Sequence, residues 1–282
     1  MIGILRADRR RLPTDAGGIV ARTHCASCVA VRNHQGWIAT LGLPYEADLL
    51  VAIALGIRGD AGSEWAMCTA APILPRRLVA LPVDLAQATA AFAVAAAWAC
   101  ADDAVRDDAS RRGAWLRNRL TPRLAPALAA LAIAPGSPPD PRLLATIPAA
   151  DLACLPSFLA HHRAYVGGLW RAGLAGAVPA PSWRTRLDRL GDALGDAMVL
   201  LDAIEDRASD AAAGQPNPLA TPATLATAEA ALDAALATIR WTFIRLAEPW
   251  RSYALACVPF ARPTAGVHEA HGPTRSTLEY PP

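Results

Sequence analysis

The stretch from Arg184 to Leu219 limits what this chain can fold into. Its apolar residues Leu187, Leu190, Leu194, Met198 and Leu201 recur at helical spacing, the mark of a long helix with one face in a core. Gly214-Gln215-Pro216-Asn217-Pro218 ends it. A second face carries Asp188, Asp192, Gly195, Val199, Asp202 and Asp206. Asp202 and Asp206 are one turn apart, so their carboxylates point the same way, and Glu205 lies beside them. Three acids this close repel one another unless a cation sits between them. Two explanations fit the spacing: a solvated face neutralised by arginines such as Arg207, or a metal site.

A second acidic cluster strengthens the metal alternative. Asp84 is placed to cap a long helix that runs to about Asp108. That helix ends in Ala101-Asp102-Asp103-Ala104-Val105-Arg106-Asp107-Asp108. Stepping back from Asp103 on one face gives Ala99, Ala96, Phe92, Thr89 and Leu85, a mostly apolar strip of small residues leading to a carboxylate. Acids at a helix C-terminus oppose the helix dipole, so something positive is expected there unless the helix continues. Hard divalent cations such as Mg²⁺ favour carboxylate oxygens together with substrate phosphate oxygens. Facing carboxylate pairs across a cavity would hold metals that bridge a diphosphate and polarise it as a leaving group. An apolar chamber below would hold a hydrocarbon and keep water from a carbocation.

Composition supports a helical, core-forming chain. Of the 282 residues, 53% are hydrophobic, which excludes global disorder. A net charge of +2 argues against a general nucleic-acid binder. All 27 basic residues are Arg, and with the Ala excess this reads as genome bias. The run Leu85 to Ala101 is short and weak for a membrane span and is expected to be a buried core helix. Met1 to Arg6 lacks the apolar core of a signal peptide. The default is a soluble cytoplasmic protein with no stable membrane span.

Further helices are expected over Ile19–Gly36, Pro44–Leu55, Arg112–Ala134 (with potential breaks at Pro122 and Pro126), Asp151–Leu174 (interrupted by Pro156 and Gly167-Gly168) and Pro222–Cys257 as one or two helices. Glu46 and Asp48 fall in a first turn, where the dipole favours acids. Residues 1–18 read as an irregular or short extended lead-in, 56–82 as loop, and 135–142 as a linker or loop. Together these predict one helical domain over 1–258 and a mobile tail over 259–282.

Six cysteines occur. Cys25, Cys28 and Cys68 offer three thiolates and His24 a fourth donor for a structural Zn²⁺. Plain buried thiols, or a disulfide among the three, are the alternatives. Cys100, Cys154 and Cys257 read as core residues. His161-His162 and the Gly167-Gly168 pair mark a candidate kink. Trp98, Trp170 and Trp241 are candidate chamber walls.

The paired acidic motifs resemble those of class I terpenoid synthases and trans-isoprenyl diphosphate synthases. More closely, Leu201-Asp202-Ala203-Ile204-Glu205-Asp206, continuing through Asp210, Gly214 and Asn217-Pro218-Leu219, resembles a poorly characterised bacterial family of similar layout. The likeness extends to Cys25-Ala26-Ser27-Cys28, Cys68 and the 102–108 segment. Gln215 stands where that family has a basic residue. The first acidic motif is one residue longer than in prenyl synthases, and Cys68-Thr69-Ala70-Ala71 lacks the family's following His.

The resemblance implies an all-α bundle with a central apolar cavity. It implies Mg²⁺-dependent cyclisation or prenyl transfer on a prenyl diphosphate. Asp103, Asp107, Asp202 and Asp206 would be the catalytic metal ligands, with Asp102, Glu205 and Asp210 in support. Diphosphate binding would fall to Arg207, Arg245 or Arg251, and a homodimer is left open. The rival is a non-catalytic protein of the same fold with a cysteine-bound structural metal. A di-iron enzyme is disfavoured because neither cluster has Glu-x-x-His spacing.

Overall fold

A computed structural model of the chain describes residues 7–8, 12, 17–59, 62–69, 74–215 and 217–258. The expected tail over 259–282 and most of the lead-in over 1–18 lie outside the described residues.

Among the described residues the protein is all-α apart from one small hairpin. The helices are α1 (Gly17–Gln35), α2 (Tyr45–Arg58), α3 (Val83–Asp108), α4 (Arg111–Ala130), α5 (Ala149–Leu152), α6 (Leu155–His162), α7 (Gly168–Ala177), α8 (Arg184–Ala213), α9 (Pro222–Phe243) and α10 (Trp250–Ala256). The described apolar residues form one core that runs from Ile19 to Val258.

The central helix is α3. Its length and composition would suffice to cross a membrane. Instead it packs against α1, α2, α4 and α7, so Ala90 to Trp98 are all buried in protein. An Ala-rich helix suits this place because small side chains let several neighbours approach. Antiparallel to α3 lies α2: Arg58 at its end pairs with Asp84 at the start of α3 (2.6 Å), and a Cβ on Gly42, just before α2, would lie 3.1 Å from that of Ala97. Asp84 is therefore occupied by Arg58 and does not cap α3, which begins at Val83.

Close packing of α7 on α8 rests on glycines. A Cβ on Gly195 would come within 2.6 Å of the Gly167 backbone nitrogen, and one on Gly191 within 2.9 Å of the Arg171 nitrogen. Just before α7, residues Arg163–Gly167 form a π turn. The expected interruption at Gly167-Gly168 takes this form, with one extra residue in the turn and no break in the chain direction.

Two expectations need correction. Residues 56–82 are not all loop: β1 (Ser63–Met67) pairs antiparallel with β2 (Pro75–Val79). Only Leu78 and Val79 of the ten are buried, so no alternating pattern marked the strands. Second, α4 runs unbroken through Pro122 and Pro126. Both prolines are exposed, and so are Asn118 and Pro122, whose carbonyls lose their bonds, so water satisfies those groups. The 135–142 segment is irregular up to Asp140, as expected of a linker or loop, and it is tied down. Asp140 is buried, accepts from the Gly136 and Arg142 nitrogens, and pairs with the Arg142 guanidinium. Pro139 then sits against Gly168, where an added Cβ would approach to 2.8 Å.

Candidate active site

An apolar cavity lies between α2, α3, the π turn, α7 and α8. From α3 it is lined by Phe92, Ala96, Ala99, Cys100 and Asp103. These fall on one face at steps of three, four and one, so the small-residue strip that leads to Asp103 does line the chamber. From the opposite side come Tyr165, Val166, Leu169 and Trp170, and from α8 Met198. Pro139, Pro141 and Leu144 cover it, and Glu46 reaches in from α2. Phe92 and Trp170 stack at 4.8 Å between ring centroids. The cavity is much smaller than a hydrocarbon chain requires. Its volume is about 40 Å³, against ~300–1,000 Å³ for typical ligand sites.

Asp103 marks one end of this cavity, its mouth, whereas Asp202, Glu205 and Asp206 are not among the residues that line it. Asp103 is three residues past Cys100 on α3, and Asp202 is four past Met198 on α8. Between them sits His162, buried at the end of α6, which feels the charges of both Asp202 and Arg106. Burial pushes its pKa down, against the opposing effects of its bond to the Phe158 carbonyl (2.9 Å) and of Asp202. At neutral pH the ring is uncharged, with Nδ1–H donating to Phe158 and Nε2 left as an acceptor. His161 instead pairs with Asp151 (3.2 Å).

The acids differ in how they are neutralised. Asp102 is buried and accepts from Arg106 (3.1 Å) and Arg117 (2.8 Å). Asp103 accepts from Arg106 at 3.2 Å. On α8, Asp192 pairs with Arg171, and Asp196 with Arg163 (2.6 Å). Glu205 is different: partial burial first, then the charges of Asp202 and Asp206, raise its pKa. That repulsion is what the spacing of the three acids predicts. Asp107 follows Asp103 by one turn of α3, and its side chain lies outside the described residues.

Several proposed ligands have other work. Asp210 accepts from Asn217 Nδ2 at 2.7 Å. Asn217 also donates to the Ala203 carbonyl (3.0 Å) and accepts from the Leu219 nitrogen (2.8 Å). Arg207 Nε donates to the Leu219 carbonyl (2.8 Å). Asp210, Arg207 and Asn217-Pro218-Leu219 thus form a clasp that folds the chain back onto α8. Pro218 and Leu219 are buried with it.

Arg245 and Arg251 cannot serve the acidic mouth. Arg245 stacks on Trp241 at 3.5 Å, and Arg186 approaches the same ring at 5.9 Å. Arg186 is sixteen residues before Asp202 on α8, roughly 24 Å along the axis. Arg251 pairs with Glu248 (2.7 Å). It follows Trp250, which packs on Gly56 near the start of α3, the end opposite Asp103. Among the described residues, Arg106 and Arg117 are the arginines that pair with Asp102 and Asp103. Arg106 was visible within the acidic motif, whereas Arg117 is brought in by α4 and carried no sequence signal.

Of the tryptophans, only Trp170 lines the cavity. Trp98 donates to Thr121 (3.0 Å), and Trp241 lies on the surface. Cys100 lines the cavity, Cys154 is exposed and Cys257 is buried.

The cysteines near the N-terminus share a neighbourhood. All six in the chain are free thiols. Burial first, then nearby Cys68 and Cys28, push the Cys25 thiol up, and burial does the same to Cys28. His24 does not turn toward them. Its Nδ1 bonds buried Asp48 at 2.8 Å, and that bond raises its pKa. Among the described residues, no three His, Cys, Asp or Glu side chains converge closely enough to hold a metal ion. The thiols therefore do not fit a closed zinc site, which needs four converging donors. The acidic mouth is another matter. Magnesium is commonly held by one or two carboxylates plus phosphate oxygens, with no all-protein cage. Asp103, Asp202 and the mutually repelling Glu205 and Asp206 are donors of the right kind.

No protein-family model and no curated protein matches the chain. Among solved structures it is similar to one described as "a putative farnesyl-diphosphate synthase from Marinomonas sp. MED121". The TM-score is 0.44 and the identity 14%, over 87% of this chain and 88% of that one. A likeness of that degree adds nothing to the geometry of the site.

Proposed function

We propose that the protein is an enzyme of the terpene-synthase or prenyltransferase kind. It takes a prenyl diphosphate and breaks the carbon–oxygen bond to diphosphate. The observation that carries this is the α3 face. A strip of Phe92, Ala96, Ala99 and Cys100 lines an apolar cavity and ends on Asp103, with Met198 in the wall from α8. A ligand fitted to such a strip is apolar along its length and anionic, through a metal, at its head.

Magnesium, each ion taking one or two of the carboxylates Asp103, Asp202, Glu205 and Asp206 together with phosphate oxygens, would supply charge neutralisation on the departing diphosphate. The chain's own groups do the rest. Arg106 lies beside Asp103 and offers a guanidinium to phosphate oxygens. Neutral His162 adds no positive charge to those of the arginines and presents Nε2 as an acceptor. Leu144, Pro139 and Pro141 close the chamber and exclude water. Phe92 and Trp170 offer ring faces to a cation. Because the cavity is small, the 135–144 segment and the flexible Met198 side chain must yield when the ligand enters.

The test is diphosphate release from C10, C15 and C20 prenyl diphosphates with Mg²⁺. Release that depends on both metal and protein, and that falls at least ~100-fold in Asp202→Asn, is expected. No release and no binding at any chain length would overturn the proposal. The second reading, a non-catalytic relative of the same fold, is favoured by the arginine pairs on Asp102, Asp192 and Asp196. It predicts that outcome.

A further inference from the structure

The β1–β2 hairpin takes no part in the cavity or its mouth. Cross-strand partners in an antiparallel pair share a face. Ala66 and Leu78 lie on the inward face, packed on the core where β2 runs along α1. The outward face carries Trp65 beside Arg77 and Met67 beside Pro75, while Val79 is covered at the base next to Ser63. Trp65 is 70% exposed. Met67 is exposed near the turn, and so is Leu74, whose carbonyl accepts from the Cys68 nitrogen at 3.3 Å. Trp37, just past the end of α1, is exposed as well. That end of α1 is close to the turn, because Arg32 Nη1 donates to the Met67 carbonyl at 3.3 Å. Large apolar side chains gathered in water mark an interaction surface.

Charge specifies the partner. Arg76 and Arg77 are both exposed. Arg77 Nε donates to Ser63 Oγ (3.0 Å), and among the described residues neither arginine pairs with a carboxylate. Glu64, the one acid in the two strands, lies toward the base, opposite Leu78. With Arg32, three guanidinium groups surround the apolar end of the ribbon.

We propose that the outward face of this hairpin docks the protein on anionic phospholipid membranes. Trp65, Met67 and Leu74 would enter the layer between headgroups and acyl chains, where an indole is favoured. Arginine stems lie along apolar surface while their heads reach lipid phosphates, and an anionic leaflet attracts them. A second copy of the chain suits the face poorly. The ribbon is about 17 Å by 10 Å, on the order of 200 Å², against roughly 800 Å² per partner in a stable interface. A two-fold axis there would also bring the arginines of both copies together. Attachment is peripheral, since α3 stays buried in protein. The inference is independent of the prenyl diphosphate reading.

Co-sedimentation of the full chain with phosphatidylcholine vesicles, with and without phosphatidylglycerol, tests it. Wild type should bind the anionic vesicles at least tenfold more tightly than the neutral ones, and less tightly as salt rises. Arg76→Gln/Arg77→Gln should weaken that binding about 25-fold, roughly fivefold for each charge at the surface. Trp65→Ala should weaken it about tenfold and remove part of the quenching of tryptophan fluorescence by brominated lipids. These side chains are exposed, so melting temperatures should not change. The control is Trp241, half-exposed and flanked by Arg186 and Arg245 on other helices: Trp241→Ala should bind as wild type does. No binding to either vesicle, equal binding to both, or binding that falls in Trp241→Ala and not in Trp65→Ala would overturn the proposal. So would self-association in sedimentation velocity that Trp65→Ala abolishes, which would give the face to a second copy.

Discussion

Asn217→Ala is the most direct test of the clasp at the end of α8. The side chain is buried and makes three bonds: to the Ala203 carbonyl, to Asp210 Oδ2 and from the Leu219 nitrogen. Neutral bonds contribute about 1 kcal/mol each, and one to a charged partner about 1.5–3 kcal/mol. Asp210 is partly exposed, so water recovers some of its loss. The Leu219 nitrogen and the Ala203 carbonyl are sheltered and do not recover as well. The expected loss is about 3 kcal/mol. At roughly 2–4 °C per kcal/mol for a chain of this order, the melting temperature should drop by about 6–12 °C. Thermal unfolding followed by circular dichroism, with and without Mg²⁺ and inorganic diphosphate, measures it. Any rise in melting temperature caused by metal and diphosphate should survive in the variant, because the clasp holds the chain and not the ligand. Asn217→Asp sharpens the test. It sets a second carboxylate against Asp210, raising carboxyl pKa values in the folded state. The destabilisation should be largest at neutral pH and shrink as the pair is protonated below about pH 5. A drop under 2 °C in Asn217→Ala would refute the structural role. So would loss of the ligand response with an unchanged melting temperature.

Other perturbations read different parts of the molecule. Gly195→Ala should destabilise by about 1–3 kcal/mol through backbone overlap with Gly167, against a helix-propensity gain of about 1 kcal/mol. Gly18→Ala, in open space at the start of α1, should leave the melting temperature unchanged or raise it. Glu205 has a folded pKa above its unfolded value, so its contribution is favourable below about pH 4.5 and lost as pH rises. Glu205→Gln should therefore melt higher than wild type at pH 7 without metal, with the gap closing near pH 4, and should gain less from added Mg²⁺. The two histidines titrate in opposite senses. His162, depressed, supports the fold above about pH 6.5 and withdraws that support as pH falls. His24, raised by Asp48, supports it below that pH and loses the effect as pH rises through its folded value. Melting of His162→Gln and His24→Gln between pH 5 and 8.5 separates them: the first should flatten the acid limb, the second the alkaline one.

What the sequence revealed was governed by periodicity. The strip from Phe92 to Asp103 and the core stripe of α8 were legible because side chains three and four apart share a face whatever the neighbours do. The interruption at Gly167-Gly168 was legible as a place, though its form as a π turn was not. The hairpin escaped because its buried part is Leu78 and Val79, too short for a period. Glu46 was read as an acid favoured by a helix dipole, since burial depends on which helices pack over it. Arg245 and Arg251 were assigned to the mouth by residue type, and only the antiparallel course of α8 and α9 sends Arg245 to the far end. The continuity of α4 through two prolines required knowing that both face water. The acids themselves could be found, but not their partners: Arg117 reaches Asp102 from another helix.

The tightness of the chamber has a kinetic meaning. If the open form is populated only as a fraction f of molecules, the apparent dissociation constant is the intrinsic one divided by f. Part of the affinity of a longer hydrocarbon is then spent on holding the wall apart, so affinity should rise less steeply with chain length than apolar area alone implies. The same closure slows escape. A product sealed beneath Pro139 and Leu144 leaves only when that wall parts again, and turnover is then set by release and not by bond breaking. A burst of one product per protein molecule, followed by a slower steady rate, is the signature of such a trap.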